Sequence, residues 1–557
     1  MESIVLGINI GHDRGAAILE NGILLGAIAQ ERVDRIKHST SMEIPFKAID
    51  SLLNYFHISF NQIKYVGLSG TAVNIYELEY FYYTQLEEYY NYSDFKIIPV
   101  THHLAHAESV FNTSGFEEAI IFVADGGGEL IGNLEEAETI FWGKGKNIHA
   151  LEQRLQSNYM HSFGRPQMYV YPFMNKQFST EQISLGKKYS QITALLGFGL
   201  HGAGKTMGLA PYGKNLIDFK ISPLDTFKFS LTFTDILDQI YNLFLKSGES
   251  YFLFIEKNKA NIAQTMQCYL EKRIHVIVDY IIYKYQPKCI CLAGGLFLNC
   301  PVNHQLIKNH PNINFFIFPA CGDDGQAIGA AFHAYKMFGS DLKCTSFTPY
   351  LGLDYKDNEI KAALIEKNLK YKQYSFERLS TILAKELKEN KIIGLLHGRS
   401  EIGPRALCHR SIIASPTSSK MKDYLNKRVK HRETFRPFGP AVIDSSQFEI
   451  FNLKQDSPFM LLAAQVSSKY KGKIPAVTHI DGSARIQSIS KHQNPFIYDI
   501  ILKYASLTGI PVILNTSFND NNEPIVESPY DAINTFLKTN IDILVIEDFI
   551  VYKESSL

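Results

Sequence analysis

The stretch "THHLAHAESVF", residues 101–111, sets His102 and His106 at i and i+4. On a helix this spacing stacks both imidazoles on one face, as two ligands to one metal ion require. His103 points elsewhere. Surface helices carry such pairs with no chemistry attached, so the weight falls on the company the pair keeps. Asp125 in "ADGGGE" and Asp323 in "GDDGQA" are carboxylates beside glycines, in turns that set them at strand ends facing a cleft. Two imidazoles and two carboxylates without a thiolate suit iron(II), manganese or zinc, and the ligand types do not choose among these.

Other residues are fit for work on an oxyanion or a hydroxyl. His12 follows the first strand-like run, in "GINIGHDRG". Its plain reading is a turn residue bonding its own backbone. Its chemical reading is a general base, since imidazole titrates near neutrality and a hydroxyl attacking a carbonyl must lose its proton. "DGGGE" bares the N–H groups of Gly126, Gly127 and Gly128 to phosphate oxygens. "GLHGAGKTMGLAPYG", 199–213, carries Lys205 but follows no clear strand, which argues against a P-loop. Further on, "GRSEIGPRALCHRSI" offers Arg399, Arg405 and Arg410, and "KRVKHRETFRPFG" offers Lys430, Arg432 and Arg436. Guanidinium forks grip phosphate bidentately and lysine adds a point charge. Pro404, Phe435, Pro437 and Phe438 interleave these cations, as in a pocket wall rather than a solvated face. "ILNTSFND" adds Ser517 and Asn519 after a strand end.

The chain must hold these groups on more than one core, because 557 residues exceed what a single core organises. Hydrophobic residues at 45% and charged residues at 20% describe an ordinary globular protein. Lys plus Arg equals Asp plus Glu at 56 each, so no net field favours nucleic acid or an anionic membrane. Neither is expected as a partner. The start lacks a cationic and apolar leader, the apolar run at 289–302 is too short for a bilayer, and the seven cysteines are an odd count without C-x-x-C. These features predict a cytoplasmic protein with inert thiols and no transmembrane helix.

"SIVLGINI", "GHDRG" and "GILLGAIAQE" read as strand, turn and strand, and "EAIIFVA", "DGGGE" and "AETIFWGKG" repeat the layout roughly 110 residues later. Such a repeat predicts a two-lobed α/β domain with a ligand cleft between lobes. Helix is expected near 262–285, strand, Gly-Gly turn and helix start at "KCICLAGGLFLN", and a second α/β domain from 373. The Tyr-rich stretch 76–92 reads as the aromatic face of a surface helix or as part of an acceptor-binding wall. We divide the chain into a domain at 1–345, a linker at 346–372 and a domain at 373–557.

Together these stretches resemble the ATP-dependent O-carbamoyltransferases of the nodulation and antibiotic-biosynthesis type along almost the whole chain. The resemblance rests on "GHDRGAAILENG", "AQERVDRIKH", "HHLAHA", "DGGGE", "GKTMGLAPYG", "AGGLFLNCPVN", "GDDGQAIGAA", "GPRALCHRSI", "VKHRETFRPFGPAV", "THIDGSARIQSI" and "LNTSFNDNNEPIVESPYDAI", in family order. It implies an actin and sugar-kinase-like N-terminal domain and a threonylcarbamoyl-adenylate-synthase-like (YrdC-like) C-terminal domain. It implies that carbamoyl phosphate and ATP, with Mg, give carbamoyl adenylate in the second domain, and that the first passes the carbamoyl group to a small-molecule hydroxyl. By the same resemblance His102, His106, Asp125 and Asp323 hold iron(II), with Asp323 preferred to Asp324. Gly126 to Gly128, Lys205, Gly294, Gly295 and Asn299 hold the adenylate. Arg399, Arg405, Arg410, Lys430, Arg432, Arg436, Arg485, Ser517 and Asn519 hold carbamoyl phosphate and ATP. A homodimer is plausible, and the acceptor is chosen by loops such as 76–95 and 150–180. One departure is Asn522 where the family usually has Gly, a position Asn tolerates. The competing readings are a tRNA-modifying threonylcarbamoyl transferase, disfavoured by the balanced charge, and an actin-like kinase, which needs no second phosphate cluster.

Overall fold

The structure, a computed structural model, describes residues 4–132, 134–157, 183–219, 236–337, 342 and 347–553. Strands β1 (Ile4–Ile10), β2 (Gly15–Glu20), β3 (Ile23–Ala29), β4 (Ile63–Gly70) and β5 (Lys96–Pro99) form a sheet in the order β3-β2-β1-β4-β5. A second sheet contains β6 (Glu118–Ala124), β7 (Leu130–Ile131), β8 (Leu134–Lys144), β9 (Asn147–Ser157), β10 (Cys289–Ala293) and β11 (Asn314–Ile317). Its order is β11-β10-β6-β8-β7, with β9 also on β8. β1 runs antiparallel to β2 and parallel to β4, and β6 runs antiparallel to β8 and parallel to β10. The repeat in the sequence is therefore a repeat of topology, and the two lobes have the plan of actin and the sugar kinases. All of β1, "IVLGINI", is buried, as a strand covered on both faces must be.

Small residues bring the lobes' elements to the site. The helix Gln326–Met337, "QAIGAAFHAYKM", lies directly on β1 and β4, where a Cβ on Gly7 or Gly67 would overlap the Ala327 or Ala330 carbonyl. Gly329 allows the helix His102–Ser114 the same approach, since a Cβ there would overlap the Ala105 carbonyl. Close packing of backbone on backbone thus fixes the start of one helix against the start of the other.

The C-terminal part is a nine-stranded sheet of β12 (Lys372–Gln373), β13 (Ile393–Leu396), β14 (Arg410–Ala414), β15 (Gly439–Ile443), β16 (Leu462–Gln465), β17 (Ser483–Ile489), β18 (Val512–Ser517), β19 (Ile543–Ile546) and β20 (Phe549–Tyr552). The order is β12-β20-β19-β13-β14-β18-β15-β17-β16. The helix Phe376–Lys388 buries Leu379, Leu383 and Leu387, one per turn, and packs against the helix Pro495–Thr508.

Two stretches differ from the sequence expectation. The helix expected near 262–285 begins at Tyr251. The supposed linker contains the helix Asp357–Glu366, which buries Ile360, Ala363 and Leu364 and packs on the helix Pro529–Lys538. Its apolar residues at i, i+3 and i+4 give it a face to bury, so it belongs to the second domain's packing. The Tyr-rich stretch contains the helix Glu79–Tyr90, which buries Tyr82 and Leu86 while Tyr89 and Tyr90 donate to Asp50. Among the described residues no helix is long and apolar enough to cross a membrane, and the described cysteines are all free. Cys344 and 158–180 of the acceptor loops lie outside the described residues.

Candidate active site

The helix His102–Ser114 starts with His102, His103 and His106 fully buried. His106 Nε2 lies 3.2 Å from His102 Nε2, 3.1 Å from Asp125 Oδ2 and 3.4 Å from Asp323 Oδ1. His102 Nε2 lies 3.8 Å from Asp125 Oδ2 and 3.5 Å from Asp323 Oδ1. Donors about 2.1 Å from one ion stand about 3.4 Å apart at the corners of a tetrahedron, so the spacing and the donor types fit a divalent ion. His102 Nδ1 donates to the Gly70 carbonyl at 3.1 Å, which leaves the Nε2 lone pair facing the cluster. Thr71 Oγ1 donates to Asp323 Oδ2 at 2.8 Å, and the Gly295 N–H donates to Asp125 Oδ2 at 3.1 Å. Gln326 Nε2 stands 3.1 and 3.3 Å from the two histidine Nε2 atoms, and its Oε1 accepts from Ser69 Oγ at 2.8 Å.

Burial disfavours a charged His102, yet Asp323 and Asp125 outweigh it and raise the pKa to about 10. His106 is raised against burial by the same carboxylates, and both imidazoles hold Asp125 well below the carboxylate range although burial opposes them. His103 is different. Burial, helped by its two histidine neighbours, takes it down to about 4, and its Nδ1 hydrogen-bonds Thr139 Oγ1 at 2.7 Å. Asp324 turns away from the cluster into a neighbouring cavity, where burial and then Asp13, Glu31 and Asp323 raise it to about 8.

His12 sits beside this cluster, with Nδ1 3.8 Å from Asp323 Oδ2 and 3.1 Å from Asp13 Oδ2. Two histidines that the sequence reading passed over join it. His38 Nδ1 is 3.0 Å from Asp13 Oδ1, and His201 Nδ1 is 3.2 Å from His12 Nε2. Their only sequence signal was their place inside or beside the motifs "AQERVDRIKH" and "GLHG". Burial would lower His12, but Asp13, then Asp323 and Asp125, raise it to about 9. Asp13 and His38 hold φ of 46° and 60°, a conformation non-glycine residues adopt at a cost of about 1–3 kcal/mol and one that clusters at working sites.

Several residues assigned to the adenylate stand elsewhere. A Cβ on Gly127 would overlap the Glu135 carboxylate and one on Gly128 would meet Glu136 and His103, so these glycines exist for close packing against side chains unsuited to phosphate. Gly126 alone of the three faces open space, and it donates to Asp125 Oδ1 at 2.5 Å. Gly294, at φ 99°, lies against the Ala124 carbonyl and turns the chain so that Gly295 reaches Asp125. Asn299 caps the helix Cys300–Asn309 and exchanges hydrogen bonds with Gln267. Lys205 leaves the transfer cleft altogether: its helix, Ala203–Leu209, meets the second domain, and its Nζ pairs with Glu433 at 2.8 Å.

The cations of the second domain divide in the same way. Arg405, Lys430, Arg432, Arg436 and Arg485, with Ser517 and Asn519, line a cavity of about 280 Å³. Lys430 Nζ donates to the Ser517 and Asn519 carbonyls at 2.8 Å each. Burial, then Arg432 and Arg436, push Lys430 far below its ordinary pKa, and burial and Arg405 bring Arg485 to about 9. The Nε atoms of Arg405 and Arg485 are buried without a protein acceptor. Like charges gathered with free donors on one cavity suit a polyanion. Arg399 and Arg410 do not reach it. Arg399 donates to the Gly352, Leu351 and Leu25 carbonyls, and the fully buried Arg410 donates to those of Gly398, Leu353 and Glu527. Loops without ladder partners need such donors, so both guanidinium groups are structural. Asn522 takes φ 65°, so the turn beside this wall keeps its glycine-like shape.

The cavity is not confined to the second domain, since Asp13, Glu31, Arg32, Lys37, His38 and Asp324 of the first also line it. Asp13 and His38, the neighbours of His12, therefore share this cavity with the cation cluster. An α/β kinase-like lobe pair with a four-donor centre, joined through one cavity to a domain that gathers the buried Lys430 and four half-buried arginines, defines a two-domain transferase. Two family models match the chain, the carbamoyltransferase N-terminus over 70–332 and the carbamoyltransferase C-terminus over 384–553. The nodulation protein NolNO of Sinorhizobium fredii is 30% identical over 98% of this chain and 79% of its own length. NolO of Bradyrhizobium diazoefficiens is 32% identical over 82% of this chain and 79% of its own. The chain belongs to the carbamoyltransferase family and is an enzyme. A solved structure of full-length HypF in a phosphate- and nucleotide-bound form is a distant likeness, at TM-score 0.40 and 15% identity over 62% of this chain and 56% of that one.

Proposed function

We propose that the protein is an ATP-dependent O-carbamoyltransferase that makes carbamoyl adenylate from carbamoyl phosphate and ATP and transfers the carbamoyl group to a hydroxyl of a small molecule, a sugar or secondary metabolite. The observation that carries this reading is the cavity lined both by Lys430, Arg405, Arg432, Arg436 and Arg485 and by Asp13 and His38, the neighbours of His12. Carbamoyl phosphate gives up its phosphate to water and leaves carbamate, whose oxygen attacks the α-phosphorus of ATP and expels pyrophosphate, so anionic charge accumulates where Lys430, Arg432, Arg436, Arg405 and Arg485 converge. Ser517 and Asn519 hold Lys430 in place for that role. ATP arrives with Mg.

His102, His106, Asp125 and Asp323 would hold a divalent ion, iron(II) by family resemblance, which supplies a Lewis acid for the carbamoyl or phosphate oxygen. Thr71, Gly70 and Gly295 fix the orientation of those ligands. Asp13 and Asp323 are what raise His12, so a cation held on Asp323 would lower it again, and we assign proton uptake from the acceptor hydroxyl to His12 in that state. Burial of His102, His106 and Asp323 limits the water that could hydrolyse the adenylate there.

The test is incubation of the full-length protein with ATP, carbamoyl phosphate and a panel of hydroxyl compounds, read by mass spectrometry. One acceptor gaining a carbamoyl group, only when both substrates are present, is the expected result. A phosphoryl gain instead, or ATP turnover indifferent to carbamoyl phosphate, contradicts the reading.

A further inference from the structure

His12, Asp13 and His38 offer one donor atom each within 4.8 Å of one another, outside the four-donor centre. We propose that these three residues form a second divalent-cation site whose open side faces the interdomain cavity. His12 Nδ1 stands 3.1 Å from Asp13 Oδ2, and His38 Nδ1 stands 3.0 Å from Asp13 Oδ1. These separations approach those between ligands of one ion, about 3.4 Å for donors about 2.1 Å from a tetrahedral metal. The side chains of His12, Asp13 and His38 are 30%, 22% and 36% exposed, in contrast to the fully buried His102 and His106. Three protein ligands with one side open is the form of sites that keep a position for a reacting oxygen. Two imidazoles with one carboxylate select manganese, iron or zinc over magnesium.

The position relative to the first centre adds to the case. Asp323 turns Oδ1 toward His102 and His106, and its Oδ2 lies 3.8 Å from His12 Nδ1. The carboxylate thus stands between the two groups of donors, in the manner of paired-metal sites, whose ions lie about 3.5–4 Å apart. On the other side, Asp13 and His38 line the cavity that Arg432, Arg436 and Lys430 also line. An ion there meets a phosphate oxygen of a nucleotide held by those cations. Only this last assignment rests on the carbamoyl-transfer reading; the binding of the ion does not. The competing account is that Asp13 merely accepts a hydrogen bond from each imidazole and binds no ion.

The test uses full-length protein stripped of metal by a chelator and dialysed to equilibrium against Mn(II) alone. Bound manganese is counted by mass spectrometry and observed by electron paramagnetic resonance. The expected result is two ions per chain with a spin-coupled signal, and one ion with an uncoupled signal in His38→Ala and in Asp13→Asn. His106→Ala keeps the other ion. Circular dichroism establishes that each variant is folded, and His38, at the surface, is the variant least able to disturb the core. If the parent protein binds one ion that His106→Ala removes and His38→Ala leaves, the second site is wrong and the four-donor centre stands. If His38→Ala removes the only ion and His106→Ala leaves it, the second site stands and the four-donor centre falls. Two ions in the parent protein and two in His38→Ala also overturn the proposal.

Discussion

Thr71 reaches Asp323 Oδ2 at 2.8 Å and Gly295 reaches Asp125 Oδ2 at 3.1 Å, so both carboxylates of the centre are held by groups that touch no ion themselves. Removing such an outer partner lowers metal affinity roughly 10–100-fold. Thr71→Val should do so with the fold intact, in a competition titration against a chelating dye, and an unchanged affinity contradicts the role given to Thr71. The acidity of the centre sets a second expectation. His102 is raised to about 10, so at neutral pH the metal-free donors hold protons that an ion must displace. Affinity should therefore fall as pH falls and rise as pH rises toward that value, with proton release on binding measurable in weakly buffered solution. A pH-independent affinity excludes these imidazoles as ligands. Of these residues, His102 and His106 stood out by their helical spacing and Asp125 and Asp323 by their place beside glycines at strand ends, whereas the preference for Asp323 over Asp324 came only from family resemblance. Thr71, Gln326 and the Gly295 N–H were not legible, because a hydroxyl at a strand end and a backbone donor leave no distinguishing pattern in one sequence.

The helix Gln326–Met337 positions Asp323 because glycines in β1 and β4 let it lie against the sheet backbone. Gly7→Val would drive a side chain into the Ala327 carbonyl, which is backbone and cannot swing aside. Overpacking of this kind costs about 1–3 kcal/mol or more, and it should also lower the metal content of the purified protein. A melt and a metal analysis check both, and a variant with parental stability and full metal content would falsify this account of the packing. The strands themselves were readable, since continuous apolar runs such as "IVLGINI" mark covered sheets and the repeated layout marked the second lobe. The helix Asp357–Glu366 was missed because its short apolar face sits in a polar surrounding that reads as linker. Arg399 and Arg410 were misassigned for a related reason: charge shows in a sequence, and the loop carbonyls that saturate it do not.

The two domains are joined by side chains as well as by the cavity. Arg35 donates to the Ile525 carbonyl at 2.7 Å and the Pro524 carbonyl at 3.0 Å, and pairs with Asp531 at 3.3 Å. It thereby anchors, from the first domain, the turn that follows Ser517 and Asn519. Hydrogen bonds to a charged group contribute about 1.5–3 kcal/mol each, so Arg35→Ala should raise the KM for carbamoyl phosphate by about tenfold or more. A KM equal to that of the parent protein would show that the turn needs no such anchor. The Lys205–Glu433 pair, with each side chain 31% exposed, should matter less, since ion pairs open to solvent are worth about 0–1 kcal/mol. Neither contact was legible, because nothing in a single sequence pairs residues across 490 positions. The division of labour between the domains is the central claim, and pyrophosphate release that depends on carbamoyl phosphate tests it most directly in Lys430→Ala and Asp125→Asn. Lys430→Ala should release none, and Asp125→Asn should release it at the parental rate while transferring nothing to an acceptor. Full release by Lys430→Ala, or none by a folded Asp125→Asn, would contradict the account.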